Sequence, residues 1–181
     1  MSHFTRISAL TLGAFEASTD SEPDSQFFSW RLQGQYVRSL APDTLLLVRS
    51  ELQLADSELL SDEQFRIGGV GSVRGYRQDL LLGDNGLFAG VEARLPILRI
   101  SEWDFLVQVA PFVEVGKVWN SDGTNPDPST LVSLGMGLLL FQDDKFTASL
   151  YWGIPLVEVE GQGDSLQEDG IYFSVRGGVR F

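Results

Sequence analysis

From Ile171 to Phe181 the chain alternates without a break. Ile171, Phe173, Val175, Gly177, Val179 and Phe181 fall on one side, and Tyr172, Ser174, Arg176, Gly178 and Arg180 on the other. A period of two is a β-strand with one apolar and one polar face. A run of this length is about what a tilted strand needs to cross a bilayer. It exceeds the roughly five or six residues usual in soluble sheets.

The same pattern recurs along the chain. Phe28, Trp30, Leu32, Gly34 and Tyr36 oppose Ser29, Arg31, Gln33 and Gln35; Leu46, Val48, Leu52 and Leu54 oppose Arg49, Glu51 and Gln53. Leu87, Ala89, Val91, Ala93, Leu95 and Ile97 oppose Phe88, Gly90, Glu92 and Arg94. In 105–119, Phe105, Val107, Val109, Val113 and Val115 oppose Gln108, Phe112, Glu114 and Gly116. Residues 4–15, 130–141 and 145–156 also read as strands from their Thr, Val, Leu, Phe, Tyr and Trp content, with alternation blurred at Leu138-Leu139-Leu140-Phe141. The chain therefore reads as all-β, with about eight long strands in an antiparallel meander.

Short turns near 40–43, 98–103 and 142–144 alternate with long segments at 16–26, 56–84, 120–129 and 157–169. Membrane barrels alternate long outer loops with short periplasmic turns in this way. The long segments hold much of the acid (Glu16, Asp20, Glu22 and Asp24; Glu158, Glu160, Asp164, Glu168 and Asp169), and the strands carry Arg31, Arg49, Arg94, Arg176 and Arg180 on their polar face. Trp30, Trp103, Trp119 and Trp152 fall mostly near strand ends, where interfacial girdles sit. Period alone does not separate a soluble sandwich, whose apolar face is its core, from a barrel whose apolar face meets lipid.

Composition excludes much else. No cysteine is present, and the one histidine is His3, so thiolate zinc sites, cysteine nucleophiles and histidine triads are not expected. A formal charge of −12 argues against nucleic acid as a partner. No apolar run reaches the length of a membrane helix, and the start of this sequence is not expected to be a signal peptide. We expect no enzyme activity, no cofactor and no metal site.

The longest loop holds Gln64-Phe65-Arg66-Ile67-Gly68-Gly69-Val70-Gly71-Ser72-Val73-Arg74-Gly75-Tyr76. Its glycines fail the dinucleotide fingerprint and the Walker pattern. Phe65-x-x-Gly68-Gly69 followed by Ser72-Val73-Arg74-Gly75-Tyr76, and then by the alternating strand from Gly86 to Pro96, resembles the lumen loop of the outer-membrane assembly and secretion superfamily. Within it the chain looks most like the two-partner secretion transporters, the haemolysin-activator family. The terminal Phe181, with Phe173, Val175 and Val179 before it, resembles the C-terminal signature of bacterial outer-membrane barrels, thought to be read by the barrel-assembly machinery.

The resemblance covers essentially all of 1–181 and implies the C-terminal half of a sixteen-stranded transmembrane β-barrel in the outer membrane of a Gram-negative-type bacterium. Five strands follow the loop in that family, and five are expected here, near 85–97, 104–119, 130–141, 145–156 and 170–181. Family members also carry two POTRA domains and a signal peptide. Neither is found here, so the chain is expected to be a truncated product, a mispredicted start or a cut fragment. The implied partners are a secreted exoprotein as cargo, outer-membrane lipid and the barrel-assembly machinery. The resemblance further implies that Gly68, Gly69, Val73, Arg74, Gly75 and Tyr76 fold back into the lumen. There the arginine meets an acid on the inner wall in a Phe-x-Asp motif, which here reads Phe112-Val113-Glu114, one methylene longer. Parity independently puts Phe112 and Glu114 on the polar face. Three alternatives stay open on the residues: an insertase for outer-membrane proteins, a self-contained eight-stranded surface barrel, and a soluble binding protein with an interior pocket.

Overall fold

The computed structural model describes residues 5–7, 11–15, 28–143, 145–159, 165–167 and 169–178. His3, the whole acidic 16–26 segment, Glu160, Asp164, Glu168, Val179, Arg180 and Phe181 lie outside the described residues. Strands β1 (Thr5–Ile7), β2 (Thr11–Phe15), β3 (Ser29–Ala41), β4 (Thr44–Ala55), β5 (Phe65–Ile67), β6 (Leu81–Gly83), β7 (Asn85–Ile100), β8 (Phe105–Trp119), β9 (Thr130–Gln142), β10 (Phe146–Pro155) and β11 (Ile171–Gly177) account for the regular structure, with one short 3-10 turn at Ser101–Trp103. No helix among the described residues is long and apolar enough to cross a membrane, which says nothing of crossing by strands.

Nine of these strands form one antiparallel sheet in the order β1-β3-β4-β7-β8-β9-β10-β11, with β2 also paired to β3. Because β1 and β2 lie end to end along β3, the sheet has eight lines of backbone, as the alternation predicts. The sheet is open: β1 with β2 forms one edge and β11 the other, and among the described residues the two edges do not pair. β3, β4 and β7 run longer than their alternating cores suggest, β7 reaching Ile100 through a register shift between Pro96 and Leu98. The short turns share one local solution. Asp43, Asp104 and Asp143 each adopt positive φ (56°, 47° and 49°), a conformation that aspartate tolerates better than most side chains.

The two faces are inverted relative to a soluble sheet. On β8, Val113, Val115 and Lys117 are exposed, while Phe112, Glu114, Gly116 and Val118 are buried. On β9, Leu134, Met136 and Leu138 are exposed and Leu131, Ser133 and Leu139 buried, so the blurred stretch at 138–141 keeps the period after all. Phe173 is 72% exposed and Val175 64%, next to a buried Tyr172. The buried face holds Gln53, Glu92, Gln108 and Glu114. Val107, on the outward parity, is covered nonetheless.

The inward face is buried because segment 56–84 lies against it. Sequence reading leaves that segment as one loop, yet it contains a hairpin, β5 with β6, in which Phe65 opposes Gly83 and Ile67 opposes Leu81. Phe65, Ile67, Val73, Tyr76 and Leu81 from this segment pack with Phe88, Val118 and Leu131 of the wall into the apolar core. At roughly 1.5–3 kcal/mol for each fully buried large apolar side chain, this cluster supplies most of what holds the segment inward.

Candidate functional site

Between β5 and β6 the chain turns through Gly68 and Gly69, both at positive φ (114° and 87°). Ser72 closes this turn: its Oγ accepts from Gly68 N (2.9 Å) and donates to Gly68 O (3.2 Å). Val73 then enters the apolar cluster, completely buried, and Arg74 is delivered to the wall.

Arg74 is 3% exposed, and its partner Glu114 1%. Nη2 donates to Glu114 Oε1 at 2.6 Å, Nε to Oε1 and Oε2 at 3.0 and 3.1 Å, and the Arg74 backbone N–H to Oε2 at 2.8 Å. The guanidinium lies 3.6 Å from the Phe112 ring centroid and 4.6 Å from that of Tyr151. Phe112 and Glu114 therefore serve one group, the ring as a cation–π platform and the carboxylate as a forked acceptor. The longer glutamate still reaches the guanidinium.

A second acid, Glu92 on β7, completes the arrangement. Arg74 Nη1 donates to Glu92 Oε2 at 2.7 Å. Register places Glu92 opposite Phe112, while Gly90 stands opposite Glu114, so both carboxylates share one patch of the inward face. Sequence reading did not single out Glu92. The available signal was parity, which puts it on the polar face of 87–97 beside Arg94. The wall supplies two more cations. Arg49 Nη2 donates to Glu114 Oε1 at 3.0 Å, and Arg94 Nε to Glu92 Oε1 at 2.8 Å.

The next two residues pin the loop farther round the wall. Tyr172 on β11 accepts from Gly75 N (3.1 Å) and donates to Tyr76 O. The Tyr76 hydroxyl donates to Val132 O (2.8 Å) and accepts from Val157 N (3.0 Å). Gly75 adopts φ 101° and lies against Gly153 of β10. A Cβ on Gly153 would fall 2.5 Å from Gly75 N and 2.7 Å from Arg74 C. Two backbones touch there, which only glycine allows. Gly116 faces the same way, and a Cβ on it would meet Val73 Cγ2 at 2.9 Å.

A separate knot holds the base of the segment. Asp84 is fully buried; Oδ1 accepts from Leu59 N and Gln64 Nε2 (both 3.0 Å), and Oδ2 from Ser121 N (2.9 Å). Burial pushes the Asp84 carboxyl up, but these three donors together hold it below the usual carboxylate range. Gln53 Nε2 donates to Glu63 O and Asp84 O, and Arg31 Nε to Gln53 Oε1.

Of the residues singled out from sequence, Gly68, Gly69, Val73, Arg74, Gly75, Tyr76, Phe112 and Glu114 lie together in this one assembly. Phe173 and Val175 lie apart from it, on the exposed outer face; Val179 and Phe181 are outside the described residues.

An open antiparallel sheet with a bare apolar outer face and an arginine-bearing loop seated on its polar inner face defines a piece of a β-barrel with an inward-folded loop. The family model of the haemolysin secretion/activation protein ShlB/FhaC/HecB matches residues 8–140, and the chain belongs to this family of two-partner secretion transporters. Among solved structures, CdiB from Escherichia coli is similar at a TM-score of 0.67 and 22% identity. The likeness covers 88% of this chain and 29% of that one, so the chain spans less than a third of CdiB. No match is found among the curated proteins.

Proposed function

We propose that the chain is the C-terminal portion of an outer-membrane β-barrel that moves a partner exoprotein to the cell surface. The observation that carries this reading is the inversion of the sheet. Val113 (51% exposed) and Met136 (52%) lie on an apolar face that none of the described residues covers, while Glu92, Gln108 and Glu114 are buried on the other. A soluble domain does the reverse, because bare apolar surface on this scale is unfavourable in water. Lipid against the outer face and a lumen within account for both faces at once.

The two unpaired edges support a piece of a larger barrel over a self-contained one. In hydrocarbon every backbone N–H and C=O needs a partner, so the strands that close the ring are supplied from elsewhere in the whole protein. Passage of the cargo as an extended chain requires no nucleotide chemistry at the barrel, and the glycine-rich segment is used for docking.

The test uses the whole transporter with its partner exoprotein in cells. Deleting the transporter should leave the exoprotein in the periplasm, and restoring it should bring the exoprotein to the surface with other outer-membrane proteins unchanged. An exoprotein that reaches the surface equally well without the barrel would overturn the proposal. Depletion of other outer-membrane proteins instead would point to an insertase.

A further inference from the structure

The inner wall holds a charge arrangement that docking alone does not require. Glu114 and Glu92 each bind Arg74, yet each also has an arginine of the wall itself: Arg49 at 3.0 Å and Arg94 at 2.8 Å. With Arg74 seated, three arginines face two glutamates, one positive charge in excess. Without it, two face two, and this patch of the wall is neutral.

We infer that Arg49 and Arg94 are resident counter-ions of Glu114 and Glu92, and that they make the seating of Arg74 reversible. A buried carboxylate stripped of its only cation is strongly disfavoured, and that penalty would lock the loop in place. Here the penalty is avoided, because Glu92 falls back on Arg94 of its own strand and Glu114 on Arg49 of β4, which reaches it across β7. Arg94 shares Glu92 with Arg74 by taking the other oxygen: Nε on Oε1, with Arg74 Nη1 on Oε2. Arg49 shares Oε1 of Glu114 with Arg74 Nη2, and its Nη1 reaches Gly71 O of the loop at 3.3 Å. Arg94 thus acts on the seat alone and Arg49 on both seat and loop. Both wall arginines are partly exposed to the cleft (side chains 35% and 27%), so both remain hydrated and mobile enough to re-pair. The need for release rests on the transport reading, since a loop across the inner face obstructs a passing polypeptide.

The consequence runs against intuition: removing a wall arginine should tighten the loop. In the full-length barrel in lipid vesicles, hydrogen exchange at the amides of Arg74 and Gly75 reports loop release, because both are bonded only while the loop is seated. Arg94→Gln should slow exchange there about tenfold, since release would then leave Glu92 unpaired. Arg94→Lys should stay near wild type, and Arg94→Gln should have no effect in a Glu92→Gln background. Unchanged or faster loop exchange in Arg94→Gln, with the β4–β7 ladder still protected, would overturn the inference. A second arm does not depend on that variant folding. Arg74→Ala should fold into vesicles within about twofold of the wild-type yield, because both glutamates stay paired. A drop beyond about tenfold would equally overturn it.

Discussion

Removing Arg74 or Glu114 should weaken the seating of the loop, and removing both should cost little more than removing one. Arg74→Ala deletes the fork to Glu114, the bond to Glu92 and the stacking on Phe112. Charge-assisted hydrogen bonds contribute about 1.5–3 kcal/mol each, and a desolvated cation–π contact about 2. Re-pairing of the glutamates with Arg49 and Arg94 offsets part of this, which leaves a loss of about 3–4 kcal/mol in seating. Glu114→Ala removes the same fork and also the acceptor of the Arg74 backbone N–H, and should cost about 3–5 kcal/mol. The two losses share the fork, so the double variant should lose about 4–6 kcal/mol, with a coupling of about 2–3. Reversing the charges should not restore seating, because the exchanged carboxylate would face Glu92 and the exchanged guanidinium Arg49. The assay is protease nicking of segment 68–76 in the full-length barrel in vesicles, under conditions where nicking tracks the open population. Each tenfold change in nicking corresponds to about 1.4 kcal/mol. A double variant equal to the sum of the singles within about 0.5 kcal/mol would refute a joint role.

Val113→Arg, at the middle of the outer face of β8, should cost about 2–4 kcal/mol in folding into vesicles, and Gln35→Arg on the inner face far less; equal costs would count against lipid on the outer face. Gly153→Ala should push Gly75 and Arg74 off the wall and loosen the loop by about 1–3 kcal/mol with β10 still paired, read by the same nicking assay. Because the Asp84 carboxyl is held below its usual range, its contribution is complete above the unfolded-state value, about 3.9, and is lost as pH falls through the lower folded value. Protease resistance of segment 57–64 should therefore fall in strong acid, and Asp84→Asn should flatten that dependence.

Much of this was legible in the sequence because two solvents act on one sheet. A lipid-like face and a polar face force a period of two on every strand, so β3, β4, β7 and β8 stand out from Trp30, Leu46, Val91 and Val113 and their polar neighbours. The seating of Arg74 on Glu114 was expected from the loop motif together with parity. Glu92 and Tyr172 were missed as partners for a common reason. Each sits at a polar-face position that alternation marks as inward, but only the register across strands tells which inward residues meet. The hairpin β5–β6 escaped because three-residue strands separated by a glycine-rich run carry too short a period to read. The sequence marks Arg49 and Arg94 only as polar-face arginines, because their pairing depends on side-chain reach along and across strands.

The loop's contacts also have an order in time. Arg49 precedes the loop in the chain, but Glu92, Glu114, Val132, Gly153 and Tyr172 all follow it, the last bonded to Gly75 across 97 positions. A chain emerging from its N-terminus carries the arginine long before it carries its seat. The two acids arrive first, the glycine contact on β10 later, and the tyrosine clamp only with β11. Because closing so long a span yields nothing until both ends are in place, full seating waits for the wall from β7 to β11, and a seated loop marks that stretch as formed.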